Sequence, residues 1–144
     1  MKISTRGRYG IRLLIDLAEH AEESHVTLAS VAERQEISVR YLEQVVVILR
    51  RAGFIRSVKG ASGGYILALP PQDIIIGDVL RVLEGDMLIS DPPLPGVAES
   101  LIRRCIRITV YERLNERIAN LINRKTLLSI LGTVDPDGSY MYFI

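Results

Sequence analysis

A mainly α-helical fold with one small β wing is predicted by three features of the chain. The stretch from Ser38 to Leu69 joins an amphipathic helix directly to a glycine-tipped hairpin. A short helix and a turn of about three residues precede that stretch, which makes a helix-turn-helix. Beyond the hairpin, the longest helical apolar pattern of the chain runs from about Val97 to Asn123. Together these predict a winged helix-turn-helix domain plus a long dimerisation helix. The organisation that follows is a winged domain over 1–85, a loop over 86–97, dimerisation helices over 98–132 and a tail over 133–144.

Each element has a local cause. Ser4 or Thr5 caps a first helix in which Tyr9, Leu13, Leu14, Leu17 and Ala18 recur at helical spacing on one face. Arg6, Arg8 and Arg12 fall in its first turns. Thr27 caps a short helix from Leu28 to Gln35, and Glu36 to Ser38 forms the turn into the next. Ser38 caps that next helix, in which Leu42, Val45, Val46 and Leu49 form a buried stripe, and Gly53 stops it. Phe54 to Val58 and Tyr65 to Leu69 read as strands, joined by a tip rich in residues that tolerate positive φ. Pro70 and Pro71 end the hairpin, and Ile76 to Leu83 is a short helix closed by Gly85. Pro92, Pro93 and Pro95 mark the following stretch as a loop. Thr126 caps a last short helix, Leu127 to Leu131, and Asp135 to Gly138 is a turn.

Composition narrows the function classes. A chain of 144 residues with 48% hydrophobic content holds one ordinary domain, or a small one with an extension, around a packed core. The formal net charge of +1 gives no whole-chain sign of a polyanionic partner. Residues 1–69 nevertheless carry a net +3 and residues 70–144 a net −2, a mild basic bias in the first half. The single cysteine, Cys105, excludes an intrachain disulfide and a cysteine-rich zinc site and suits a reducing cytosol. No export signal or membrane span is read, so a cytoplasmic protein is expected. No nucleophile stands with its base and no metal-ligand spacing occurs, so neither enzymatic activity, nor a metal site, nor a cofactor is expected.

The polar face of the helix after Ser38 carries Arg40, Glu43, Gln44, Val47 and Arg51, with Val39 and Tyr41 near its start. Arg pairs with guanine edges, Gln with adenine, and Glu accepts from the cytosine amino group, so such a face suits a DNA major groove. A solvated helix face has the same composition. The hairpin tips the balance toward DNA. Lys59 stands at a tip where Gly60, Gly63 and Gly64 leave little side-chain bulk, letting backbone and one cation approach phosphates or a minor groove. These glycines do not form a P-loop, because no Gly-Lys-Ser/Thr follows and the loop leads into a strand. On the long helix Leu101, Cys105, Ile108, Leu114, Ile118 and Leu121 belong to an apolar surface broader than one core-facing stripe. One side can pack on its own domain and the other on a second subunit, and a two-fold dimer matches palindromic double-stranded DNA.

Four motifs in order carry a family resemblance: Lys2 to Gly10 (KISTRGRYG), Ser38 to Gln44 (SVRYLEQ), Ser57 to Tyr65 (SVKGASGGY) and Gly77 to Gly85 (GDVLRVLEG). Over nearly its whole length the chain resembles the Rrf-two family of bacterial winged-helix transcriptional regulators. The resemblance implies a homodimeric transcription factor in which Tyr41, Glu43 and Gln44 occupy recognition-helix positions, Lys59 the wing tip, and Arg6 and Arg8 the DNA backbone. Members that hold an iron–sulfur cluster have further cysteines and a histidine between the wing and the dimer helix. Here Cys105 stands alone and Ile108 takes the histidine position. A single thiolate cannot supply the ligands of such a cluster.

Three readings of single residues complete the picture. His20 and His25 read as plain surface residues, and Cys105 as a small core residue with a redox-sensing thiol as the sharper alternative. The C-terminal Tyr140 to Ile144 resembles the end of the cysteine-metabolism repressors of this family. That likeness implies a partner, cysteine synthase, held through Tyr142, Phe143 and Ile144, with the free carboxylate and an apolar anchor doing the binding. The expected function is then repression of cysteine and sulfur-assimilation genes, modulated by that enzyme. Two alternatives stay open: a redox or iron–sulfur-type sensing regulator of the same family, and a winged-helix protein-interaction module without specific DNA binding.

Overall fold

The structure is a computed structural model that describes residues 2–23, 25–60, 63–90 and 92–133. Its elements run α1 (Thr5–Glu19), α2 (Leu28–Gln35), α3 (Val39–Arg51), β1 (Ile55–Val58), β2 (Gly64–Leu67), α4 (Ile76–Glu84), α5 (Leu101–Ile106), α6 (Glu112–Arg124) and α7 (Leu127–Leu131). A single 3-10 turn, Pro71–Asp73, follows the hairpin, and a π-helical stretch, Arg107–Tyr111, joins α5 to α6.

The helices start where their hydroxyl caps stand. Ser4, Thr27, Ser38, Ser100 and Thr126 each accept a hydrogen bond from the backbone N–H three residues on, satisfying a donor that has no partner inside the helix. Four of these caps are expected from the sequence, and Ser100 is an addition to them. Its cap moves the start of the long helix from the expected Val97 to Leu101. The strands are also shorter than expected, because pairing runs only from Ile55 opposite Leu67 to Val58 opposite Gly64.

A single core unites α1 to α4, the hairpin and α7. Leu13, Leu42, Leu49, Ile74, Leu80 and Leu127 are among its fully buried side chains. The third edge of the sheet is one residue wide: Val26 exchanges both backbone hydrogen bonds with Tyr65, at 3.0 and 2.8 Å. At the other end, Ile76 N–H donates to the Lys125 carbonyl and Leu127 N–H to the Ile74 carbonyl, each at 2.8 Å. This clasp returns the chain to the body after the long helix.

Polar contacts fix the angles between helices. Asp16 is fully buried, and its carboxylate accepts from Arg34 Nε at 3.0 Å, Arg34 Nη2 at 2.7 Å and Gln35 Nε2 at 3.0 Å. Burial alone would raise its pKa, but these hydrogen bonds and the charges of Arg34 and His20 outweigh it and lower the pKa. Arg12 donates to the Gln35 side chain at 3.2 Å and to the Gln35 carbonyl. The turn that follows reverses at Glu36, whose φ of 54° is left-handed. Arg12 and Asp16 of α1 thereby hold α2 and the entry to α3. Close approach of α1 to α4 depends on Gly7 and Gly10, where an added Cβ would strike Glu84 and Leu83.

Two residue readings are corrected. Cys105 is exposed, not a core residue of its chain. The histidines are half-buried instead of plain surface residues. His20 Nδ1 lies 2.8 Å from the Asp16 carbonyl oxygen, and the His25 ring packs where a Cβ on Gly64 would come within 2.6 Å of it.

Candidate nucleic-acid interface

The interface is built on the outer side of α3. Core contacts take one stripe, with Leu42, Val45, Val46 and Leu49 all buried. The opposite stripe is then Arg40, Gln44, Val47 and Arg51, all exposed, with Glu43 and Arg50 exposed beside it. Ser38 and Val39 are also exposed at the start of the helix. Tyr41 is set apart: it is half-buried, with its ring edge-on to Tyr9 at 5.2 Å between centroids. It props the helix on α1 more than it extends the open face.

The wing stands beside α3. Lys59 and Gly60 are exposed at its tip, and Gly63 closes the tip with a φ of +47°, a conformation that favours glycine. On β1, Ile55 is buried while Arg56 is exposed. Strand alternation thus turns a further cation outward, which the sequence reading missed although the alternation was its signal. Arg50 was missed as well, being counted with neither stripe of α3. At the start of α1, Arg6 and Arg8 are exposed, and Arg8 donates to Thr5 Oγ1 at 3.2 Å.

The arginines divide into two groups. Arg12, Arg34, Arg81, Arg107 and Arg113 are engaged with side chains or carbonyls of their own chain. Arg107 is the strongest case, holding Glu99 through two 2.9 Å contacts and also bonding Glu112; hydrogen bonding to Glu99 raises its pKa and lowers that of Glu99. By contrast, the side chains of Arg40, Arg50, Arg51, Arg56 and Lys59 make no hydrogen bond or ion pair among the described residues. A group of unpaired cations on a helix and an adjoining hairpin is an arrangement suited to phosphates and base edges.

The long helix has a different surface. Leu101 is 83% exposed and Leu121 61%, and Cys105, Ile108 and Leu114 are also exposed. Ile118, expected with them, is half-buried and lines a cleft of about 200 Å³ with Arg81, Met87 and Ile122. It faces the body of its own chain. Tyr142, Phe143 and Ile144 lie outside the described residues.

The model of the Rrf2 family, described as iron-dependent transcriptional regulators, matches residues 3–133. The chain belongs to the Rrf2 family. It is 35% identical to the HTH-type transcriptional regulator CymR of Bacillus subtilis over 145 aligned positions, covering 100% of both chains. It is 38% identical to the HTH-type regulator IscR of Vibrio atlanticus, covering 88% of this chain and 73% of the relative. Among solved structures, B. subtilis CymR superposes with a TM-score of 0.80 at 35% identity, covering 94% and 99% of the two chains. T. potens IscR superposes with a TM-score of 0.78 at 38% identity, covering 99% and 94%. The winged helix-turn-helix is therefore that of an Rrf2-family transcriptional regulator related to CymR and IscR, and these relatives are named as regulators, not enzymes.

The family description raises the question of iron, and the donor set answers it. Cys105 is the only thiol in the chain, and no group of three or more His, Cys, Asp or Glu side chains is placed to hold a metal among the described residues. Iron–sulfur clusters are held by several thiolates, in some cases with imidazoles. The residues present do not fit such a cluster. Nor, among the described residues, is any helix long and apolar enough to cross a membrane.

Proposed function

We propose that the chain acts as a homodimeric repressor that binds palindromic DNA and controls cysteine and sulfur-assimilation genes. The observation that carries DNA binding is the set of cations on the outer face of α3 and the wing whose side chains have no partner among the described residues. Arg40, Gln44 and Arg51 enter the major groove, Glu43 accepts from a cytosine amino group, and Ser38 and Val39 stand at the end nearest the bases. Tyr41 supports this face from behind. Lys59, with the small Gly60 and Gly63, follows the backbone or enters the neighbouring minor groove, while Arg6 and Arg8 reach phosphates.

Dimerisation is supported by the exposed leucines and isoleucines of α5 and α6, since apolar surface left open in one chain is covered when two copies pair. Two copies joined there present two α3 helices to half-sites about one helical turn apart. The assignment to cysteine metabolism rests on end-to-end similarity to CymR. Its control by cysteine synthase rests on the tail, with Tyr142, Phe143 and Ile144 as the docking segment.

Mobility-shift titrations of a selected palindrome against competitor DNA test the reading. Specific binding that weakens with salt, and that Arg40→Ala reduces by about tenfold or more, is the expected result. Equal affinity for every duplex would leave only a protein-interaction module. Deleting residues 142–144 and titrating cysteine synthase tests the tail; unchanged association sinks that part alone.

A further inference from the structure

One side chain on the outer stripe of α3 has no hydrogen-bonding capacity. Val47 is 38% exposed and follows Arg40 by seven residues and Gln44 by three, and it precedes Arg51 by four. It therefore lies in the middle of the polar face. It belongs neither to the buried core nor to the partly buried side chains packed on it. Val39, the other exposed valine of α3, differs: it precedes the buried Leu42 by three residues and Val46 by seven, which puts it on the flank of the core stripe.

We propose that Val47 is a specificity-determining residue, packing its isopropyl group against the C5-methyl of a thymine in the major groove. The inference rests on the DNA-binding reading above and adds a base preference to it. Among the four bases only thymine offers a methyl group there, so an apolar side chain recognises it by contact. It also rejects cytosine and adenine, whose amino groups would lose water without gaining an acceptor. A β-branched side chain in a helix is confined to essentially one rotamer, so Val47 loses little conformational freedom on docking. One helical turn rises about 5.4 Å and base pairs stack about 3.4 Å apart, so Val47 and Gln44 address the same short run of base pairs.

The test replaces thymines by deoxyuridine, one position at a time, in an operator selected from a random pool by the full-length wild-type protein. Deoxyuridine removes only the methyl. At one thymine per half-site the wild type is expected to lose about fourfold in affinity, the value of one buried methyl-sized group. Val47→Ala is expected to bind the original operator more weakly and to ignore that same replacement. Val47→Ser, put through the same selection, is expected to lose the thymine preference at that position. Both variants are exposed-surface changes, and thermal unfolding monitors their folding. Specific wild-type binding in which no thymine matters, or in which wild type and Val47→Ala respond alike to every replacement, overturns the role of Val47 and leaves DNA binding standing. A wild type that selects no sequence at all overturns both.

Discussion

The winged body and the helix that leaves it both carry many leucines and isoleucines, yet they treat those residues in opposite ways. In the body, Leu13, Leu42, Leu49, Leu80 and Leu83 are almost wholly removed from solvent. In α5, the π-helical stretch and α6, no residue is buried, and Leu101, Ile102 and Leu121 lie mostly in solvent. The body buries its apolar surface within one chain, whereas the long helix touches its own chain through Ile122, which packs on the core, and through Asn123 and Asn115, which accept from Arg81 of α4 and from the Ile89 N–H. Apolar content is the same kind of information in both places. What differs is whether the chain itself supplies the covering surface.

Truncating Leu42 to Ala should cost about 2–5 kcal/mol in urea unfolding, through lost transfer energy and a cavity. The same truncation at Leu121 should cost about 0.5 kcal/mol or less when unfolding is followed at the lowest workable protein concentration. A loss at Leu121 as large as that at Leu42 would break the comparison. Replacing both Leu101 and Leu121 by Asp sharpens it, because sedimentation should then show monomer with the helical circular dichroism retained.

A smaller loss, about 1–3 kcal/mol, is expected for Asp16→Ala, which leaves Arg34 and Gln35 without their acceptor. Its pH dependence is a further check. The Asp16 and Glu84 pKa values are both lowered, against the effect of burial, by hydrogen bonds from Arg34 and Gln35 in one case and from Ser4 and Gly7 in the other. Their stabilisation is therefore present above the ordinary carboxylate range, about pH 4, and is lost as pH falls through the lowered values. Acid titration followed by circular dichroism should show a shallower loss in Asp16→Asn than in the wild type.

Gly64→Ala should destabilise the wing by about 1–3 kcal/mol, since the new Cβ would lie 2.8 Å from the Val26 carbonyl oxygen and 2.6 Å from the His25 ring. Faster hydrogen exchange at the Val26 and Tyr65 amides is the measurement. Least of all in stability, within about 0.5 kcal/mol, is Lys59→Ala at the exposed tip. Its expected signature is a salt slope of DNA binding that falls by about one, with no change in base preference.

Much of the body is legible in the sequence because its signals are local. Hydroxyl caps at Ser4, Thr27, Ser38 and Thr126 and the spacing of Leu42, Val45, Val46 and Leu49 depend on residues a turn apart. The outer stripe of α3 is the complement of that spacing, so Arg40, Gln44 and Arg51 follow from helical periodicity alone. Residues whose role depends on a distant segment do not. His25 packs beside Gly64, Tyr41 leans on Tyr9, and Ile118 lines a cleft with Arg81 and Met87, and nothing in the neighbouring sequence says so.

By itself, then, the sequence determined the order of elements, the winged helix-turn-helix and the composition of its outer face, because helical and strand periodicities are set by nearest neighbours. Only the tertiary structure decided which cations are free. Arg12 and Arg34 look no different in sequence from Arg40 and Arg51. Across the fold, however, Gln35 and the buried Asp16 come to the first pair, and among the described residues nothing comes to the second. An ion pair needs its partner within about 4 Å and a hydrogen bond within about 3.2 Å, and chain packing alone brings Arg34 to Asp16, 18 positions away, and Arg12 to Gln35, 23 positions away, at those distances.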